Sequence, residues 1–549
     1  MSHLTAFSIQ NFKAFRDEQR IPIRPITLVY GQNSAGKSSL IDAVLLLHHL
    51  ATHGAPKIPF SRFDPYQGEY FDFSVTGNSV RLGKVWDFVH GKAMSDDNKF
   101  FLGCVVSDKE TTARMEFGFD NDGLFSFQQF LGEEPWMFRL NVKRRSVGFL
   151  SDHFAHVEVN SEHPAFRAAV AGALAEIDTK LKIFAESAPD SEAGKAVASY
   201  LKECDFSIPE FREDLANEVA AQYSRLRLNA RSIPPEPVTP LTHPVLEQHP
   251  TFAESTDRPE HTPDWSDRES SIDMVFEESF SSYVEGRIIK LAVDIAVDRL
   301  EGLRCPGNAV ASEALESVAY CGPQRADLDL ESMFPPQIQH EDESGVNIGG
   351  WALDDAALEF VNGWLQAQRF GTAHYAITKN SEAISVDTFS HAVRVELSDL
   401  GRGISVGLHE VGSGLGQIVP VLLAAAAYQN HLVCVKQPEL HLHPSLQADV
   451  ADVFAKFAGR TSEPTGSRFL IETHSEHLLL RLMRRIREST HGKLKKGERP
   501  LCPDDVAVLY VENLGTHSVV REMPLNENGE LARDWPGGFF EEGLREVLM

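Results

Sequence analysis

Gly31, Gly36, Lys37 and Ser38 stand in the order G-x-x-x-x-G-K-S within "GQNSAGKSS", a spacing suited to holding a triphosphate. The two glycines let a loop turn its backbone N–H groups inward onto phosphate oxygens, the lysine reaches the β and γ phosphates, and the serine hydroxyl ligates Mg2+. Asn33, Ser34, Ala35 and Ser39 complete the loop. ATP and Mg2+ are the expected cofactors, with Ser38 as the metal ligand.

The flanking elements suit that role. "ITLVY" is an apolar, β-branched run that reads as a buried strand, and "KSSLIDAVLLLHHLATHG" reads as a helix ending at a glycine. A chance glycine-rich turn would have no reason to sit between them. Residues 99–130 alternate short apolar runs with Asp, Asn and Gly turns, which predicts antiparallel strands, whereas residues 163–232 and about 272–303 have helical periodicity. The intervening "PPEPVTPLTHPVLEQHPTFAESTDRPEHTPDWSDRESS" is rich in proline and polar residues and reads as loop or disorder. Sustained heptads are absent, which argues against long coiled-coil arms.

The segment "NFKAF" ahead of the loop resembles the ABC-type ATPase heads of the SMC, RecF and overcoming-lysogenization-defect (OLD) families. Three later stretches match the same pattern in order. "EVGSGLGQIVP" puts Ser413, Gly414, Gly416 and Gln417 where these families carry the signature loop that closes over the γ phosphate of a second subunit, which implies a homodimer or higher homo-oligomer. Alone, those four residues could be an ordinary turn into a helix, glycine-rich turns being common, but that is the lesser reading. "VKQPELHLHP" resembles the Walker B and D-loop region, with Pro438, Glu439, Leu442, His443 and Pro444 in agreement, and His474 in "THSEH" matches the switch histidine. His441 and His443 form an H-x-H pair that could in principle bind metal, but with no third ligand visible a structural D-loop reading is preferred.

The tail residues Trp535, Pro536, Gly538, Phe539 and Phe540, together with "YCGPQRADL" at 320–328, resemble a family of bacterial predicted ATPases. The resemblance implies an α/β fold: a P-loop ABC-type ATPase head with an antiparallel β-lobe and a helical insertion. Its expected segments are an N-terminal lobe over 1–160, a helical insertion over 161–310 with a flexible loop near 233–271, a C-terminal lobe over 311–510 and a family-specific module over 511–549. ATPases of this kind include the ATPase subunit of Septu anti-phage systems, which acts with a separate HNH nuclease. The resemblance thus implies a partner nuclease under ATP control.

The chain departs from the pattern where hydrolysis would occur. Lys436 stands at the position of the magnesium-orienting acid, and Gln437 at that of the glutamate that polarises water. An ammonium about 4 Å from Mg2+ repels it by several kcal/mol even at an effective dielectric of about 20. Gln437 can position a water but cannot take its proton. Glu472 and Glu439 are the nearest acids in sequence, and Glu472, at a strand end, is the better placed substitute. The catalytic candidates are therefore Gln437, Glu472, His474 and Glu439, with slow or impaired hydrolysis.

At 549 residues, 42% hydrophobic and 24% charged, the chain has the profile of a multi-unit globular protein. No apolar run reaches the roughly 18 residues that cross a bilayer, and the opening lacks a signal-peptide pattern, so a cytoplasmic protein with no membrane partner is expected. Six scattered cysteines show no metal or disulfide spacing. A formal charge of -27 excludes a broadly basic nucleic-acid coat. DNA contact would rest on local patches, "RLNVKRRS" at 139–146 and "RLMRRIRESTHGKLKKGER" at 481–499, for which a solvated helix face is the plainer reading. After "VLYVE" the only aspartate is Asp534, so the D-x-D pair that a Toprim nuclease needs does not fit there. A RecF-like DNA repair ATPase and a non-hydrolysing nucleotide-dependent scaffold stand as alternatives to the defence reading.

Overall fold

The computed structural model describes residues 2–53, 71–237, 272–323, 337–340, 355–367, 375–407 and 410–536, apart from short stretches inside those ranges. In chain order the elements are β1 (His3–Gln10), β2 (Gln19–Pro22), β3 (Ile26–Gly31), α1 (Lys37–His53), β4 (Phe71–Val75), β5 (Asn78–Gly83), β6 (Phe100–Ser107), β7 (Thr112–Asp120), β8 (Gly123–Leu131), β9 (Trp136–Val147) and β10 (Leu150–Val159). Then follow α2 (Pro164–Ser187), α3 (Pro209–Ser224), β11 (Arg227–Asn229), β12 (Glu236–Pro237), α4 (Ile272–Glu316), β13 (Val318–Cys321), β14 (Gln337–His340), α5 (Asp355–Gln366), β15 (Tyr375–Ser385), β16 (Ser390–Asp399) and β17 (Ile404–Val406). The last group is α6 (Ser413–Ala427), β18 (Leu432–Lys436), α7 (Pro444–Phe457), β19 (Arg468–Glu472), α8 (Glu476–Thr490), β20 (Val506–Asn513) and β21 (Ser518–Glu522). The chain divides into two units, one of Met1–Thr111, Glu116–Gly123 and Val310–Met549, the other of Thr112–Met115 and Leu124–Ala309.

The first unit is built on a six-stranded sheet in the order β13-β18-β19-β3-β20-β21. Its first five strands are mutually parallel, and only the edge strand β21 runs antiparallel. Near-continuous apolar runs explain this: "ITLVY", "LVCV", "FLI" and "VAVLYV" are buried along their lengths, as parallel strands covered on both faces must be. Helices α1, α6, α7 and α8 supply the cover, and α6 is buried from Leu415 to Ala426. Beside this sheet, β15 and β16 form a hairpin backed by α5, whose Asn362 side chain bonds the backbone of Ile377 in both directions at 2.7 and 2.9 Å. β1 pairs antiparallel with both β2 and β6.

In the second unit β8 to β12 pair with their sequence neighbours, all antiparallel where the register is defined. Helices α2, α3 and α4 follow the helical periodicity of the sequence, but Arg227–Asn229, expected as helix, instead pairs with β10 as β11, and α4 runs 45 residues, to Glu316 rather than about 303. Gly172 leaves room for Arg299 of α4, which pairs with Glu176 of α2 at 2.8 Å. The architecture is α/β, with a P-loop sheet, antiparallel strands and a helical segment. The proline-rich loop lies outside the described residues beyond Pro237, as do Gly538, Phe539 and Phe540 of the tail. No helix among the described residues is long and apolar enough to cross a membrane.

Candidate nucleotide site

The P-loop leaves β3 at Gly31 and enters α1 at Lys37, all at the C-terminal edge of the parallel strands, where such sheets place ligands. Two glycines are fixed by contact. Gly31 has φ +147° and a Cβ there would strike the Val511 carbonyl of β20; Gly36 has φ +100° and a Cβ would lie 2.7 Å from that of Ala14. The "NFKAF" segment therefore lies against the loop. It is a tight turn, closed by reciprocal backbone bonds between Phe12 and Phe15 at 2.8 Å, with Phe12 buried and stacked on Phe88 at 5.8 Å. Lys13 sits at its tip with φ +49°.

Lys37 is buried and its ammonium donates to the carbonyls of Gly31 (2.9 Å) and Gln32 (2.8 Å). Burial holds its pKa below the usual lysine value, against the pull of Glu472 and Glu439. The Ser38 hydroxyl donates to the Glu472 carboxylate, 2.9 Å from either oxygen. Glu472 ends β19 opposite Val29 of β3 on one side and Lys436 of β18 on the other. A hydroxyl and one carboxylate, completed by phosphate oxygens and water, is a donor set that fits Mg2+. The described residues hold no group of three or more His, Cys, Asp or Glu able to bind a metal unaided.

Lys436 pairs with an acid on α1. Its ammonium lies 3.1 Å from Asp42, and the other oxygen of Asp42 lies 2.8 Å from Lys13. Asp42 is four residues beyond Ser38 on α1, so the two share a helix face and meet neighbouring strand ends. The Tyr320 ring lies 5.7 Å from the Lys436 ammonium. Burial opposes that charge, but Asp42, Tyr320 and Glu472 outweigh it and raise the pKa, so Lys436 stays protonated. Sequence reading missed Asp42 and the role of Lys13; an acid one helical turn past the P-loop serine was the available signal.

The other candidates divide by role. Gln437 has φ +48° and donates its N–H to the Glu472 carbonyl at 2.7 Å, a strained backbone at the strand end. The Glu439 carboxylate accepts from the Thr473 hydroxyl (2.8 Å) and the His474 N–H (2.7 Å), fixing the turn that carries His474. Burial, then Lys37, keep the His474 imidazole below its ordinary pKa and hence neutral near pH 7. Tyr30 of β3 donates to the Ser475 carbonyl at 2.9 Å and meets the edge of Trp535 at 5.5 Å, which ties the tail to the same turn.

Of the signature residues, Ser413 is exposed at the start of α6, while Gly416 and Gln417 are buried within it. A Cβ on Gly414 would come 3.1 Å from the His441 carbonyl, so the signature turn rests on the D-loop. His443 is the N-cap of α7, accepting from the Ser445 N–H at 3.3 Å ahead of Pro444. In the second basic stretch the arginines are engaged: Arg481 with Asp449 and Asp452, Arg484 with Glu488, and Arg485 with Asp452, Glu488 and Glu498. In the first, only the Arg139 side chain is described, over the Trp136 ring at 4.3 Å. Among the described cysteines, Cys104, Cys321, Cys434 and Cys502 are not disulfide-bonded.

Parts of the chain match known families. Residues 363–479 match a family described as AAA ATPase domain, and residues 7–68 match one described as AAA domain. Residues 501–548 match a protein family of unknown function (DUF3696). None of the curated proteins matches. Among solved structures, similarity is found to the Smc head domain with an extended coiled coil, bound to the C-terminal domain of ScpA, from Pyrococcus furiosus: 10% identity over 100% of this chain and 99% of that one, TM-score 0.35. The SMC head domain from Thermotoga maritima gives 8% identity, 95% and 99% coverage and a TM-score of 0.34. The recombination mediator RecF-ATPrS of the RecFOR pathway gives 10%, 95%, 98% and 0.30. At such TM-scores the overlap is loose, and the fold rests on this chain's own strands. The two stretches that match AAA-type family models, separated by the long middle segment, supply strands to one P-loop sheet.

Proposed function

We propose that this chain is an ABC/OLD-like ATP-binding protein that pairs over nucleotide and uses the bound state to control a partner effector, a nuclease of HNH type, in prokaryotic anti-phage defence. The observation that carries the nucleotide reading is the P-loop with Lys37 buried in it and Ser38 bonded to Glu472 at 2.9 Å. In this reading residues 1–160 and 311–510 supply the ATPase lobes, 161–310 the helical insertion and 511–549 the tail module. Ser38 and Glu472 would hold Mg2+, which supplies charge neutralisation to the phosphates. Exposed Ser413 and half-buried Gly414 would face the partner copy's nucleotide, and Gly416 and Gln417 would support that turn from within α6.

Turnover is slow in this reading for a stated reason. Gln437 cannot accept a proton, and the Glu439 carboxylate is already bonded by Thr473 and His474. His474 would sense the γ phosphate. The test is mass in solution with and without ATP, for the wild type and Lys37→Ala, alone and with the protein encoded beside it. ATP-dependent pairing lost in Lys37→Ala supports the proposal; a mass unmoved by ATP removes it. A RecF-like role is favoured by one feature, exposed Lys493, Lys495 and Lys496 beyond α8; DNA-stimulated phosphate release would support it.

A further inference from the structure

We propose that the Lys436 ammonium serves the P-loop as a built-in cation, so that the site takes a metal-free nucleoside triphosphate nearly as well as its magnesium complex. This rests on the nucleotide reading above and concerns the charge balance of that same site.

Register places the cation. Lys436 is paired with Glu472 across the parallel β18–β19 ladder, and the Glu472 carboxylate is the group that meets Ser38. The ammonium therefore stands one strand away from the acid available to a metal, and the Glu472 charge is among those that favour its protonated form. Helix spacing then sets the balance. Asp42, one turn past Ser38, is shared by Lys13 at 2.8 Å and Lys436 at 3.1 Å. One carboxylate neutralises one ammonium, so the three side chains carry a surplus positive charge. They are only 20%, 16% and 15% exposed, which limits screening by water and salt.

A surplus charge there acts twice on the same comparison. It opposes a dication at Ser38 and Glu472, since like charges repel across a weakly screened distance. It also attracts a triphosphate that arrives without its metal, supplementing Lys37 and the inward N–H groups of the loop. The four-carbon lysine stem allows the ammonium to leave Asp42 for a phosphate oxygen, and Asp42 keeps Lys13 as partner when it does. Both effects narrow the gap between the two ligand forms.

The test is calorimetric titration of the full-length chain with a non-hydrolysable ATP analogue, once in Mg2+ and once in EDTA. The wild-type Kd values are expected to agree within about threefold, and Lys436→Met to weaken binding in EDTA by about tenfold or more while changing the magnesium value less. Asp42→Asn, which frees both lysines, is expected to tighten binding in EDTA. A wild-type Kd about tenfold or more weaker in EDTA overturns the proposal, as does a Lys436→Met chain that keeps the wild-type value there. Tight binding in Mg2+ alone would sink this inference and spare the nucleotide reading; no binding in either condition would sink both.

Discussion

Single side chains decide whether the site turns over. Glu472 is the acid in contact with Ser38, so Glu472→Gln is expected to lower magnesium-dependent phosphate release about tenfold or more while nucleotide still binds; unchanged release would assign the chemistry elsewhere. His474 gives a pH signature. Burial and then Lys37 hold its pKa below the ordinary 6.5, so the unfolded chain takes up a proton before the folded chain does as pH falls. Stability is then complete above about pH 6.5 and drains as pH drops toward the folded pKa. His431, also buried, contributes in the same window. Thermal midpoints between about pH 5 and 8 should fall on the acid side for wild type, and less so for His474→Gln.

At the scale of elements, the sequence was most legible where chemistry is local. The P-loop, its strand and its helix lie within one short run, so spacing alone singles out Lys37 and Ser38 as candidates. The Asp42 contact was hidden because "LIDAV" reads as one face of a helix, and its partner Lys436 is 394 positions away. The basic run after His474 reads most plainly as a solvated helix face, yet Arg481 and Arg485 meet acids on α7, and Arg485 one on the segment after α8, pairings that no one-dimensional pattern displays. Removing Arg485 should cost about 1.5–3 kcal/mol, the range for hydrogen bonds to charged groups, seen as a lowered denaturant midpoint. Gly36→Ala should cost about 1–3 kcal/mol through left-handed backbone strain, with the Ala14 contact added, and should lower nucleotide affinity because the loop must shift.

At the scale of the whole molecule, the acidic total limits how this chain can meet DNA. If the exposed Lys493, Lys495 and Lys496 are the contacts, three phosphates are neutralised, and raising salt from about 50 to 200 mM should weaken duplex binding about 40-fold. A loss of several thousandfold would call for a larger basic surface. The parallel sheet carries a different consequence, one for biosynthesis. β3 leaves the ribosome long before its neighbours β19 and β20: Ser38 and Glu472 are 434 positions apart. At about 5–20 residues per second, the nascent P-loop strand waits roughly 20–90 s for its first edge to be covered. During that interval an apolar ribbon stands bare in a crowded cell, which makes it a natural client for chaperones and the place where a slowed or truncated translation product would begin to aggregate.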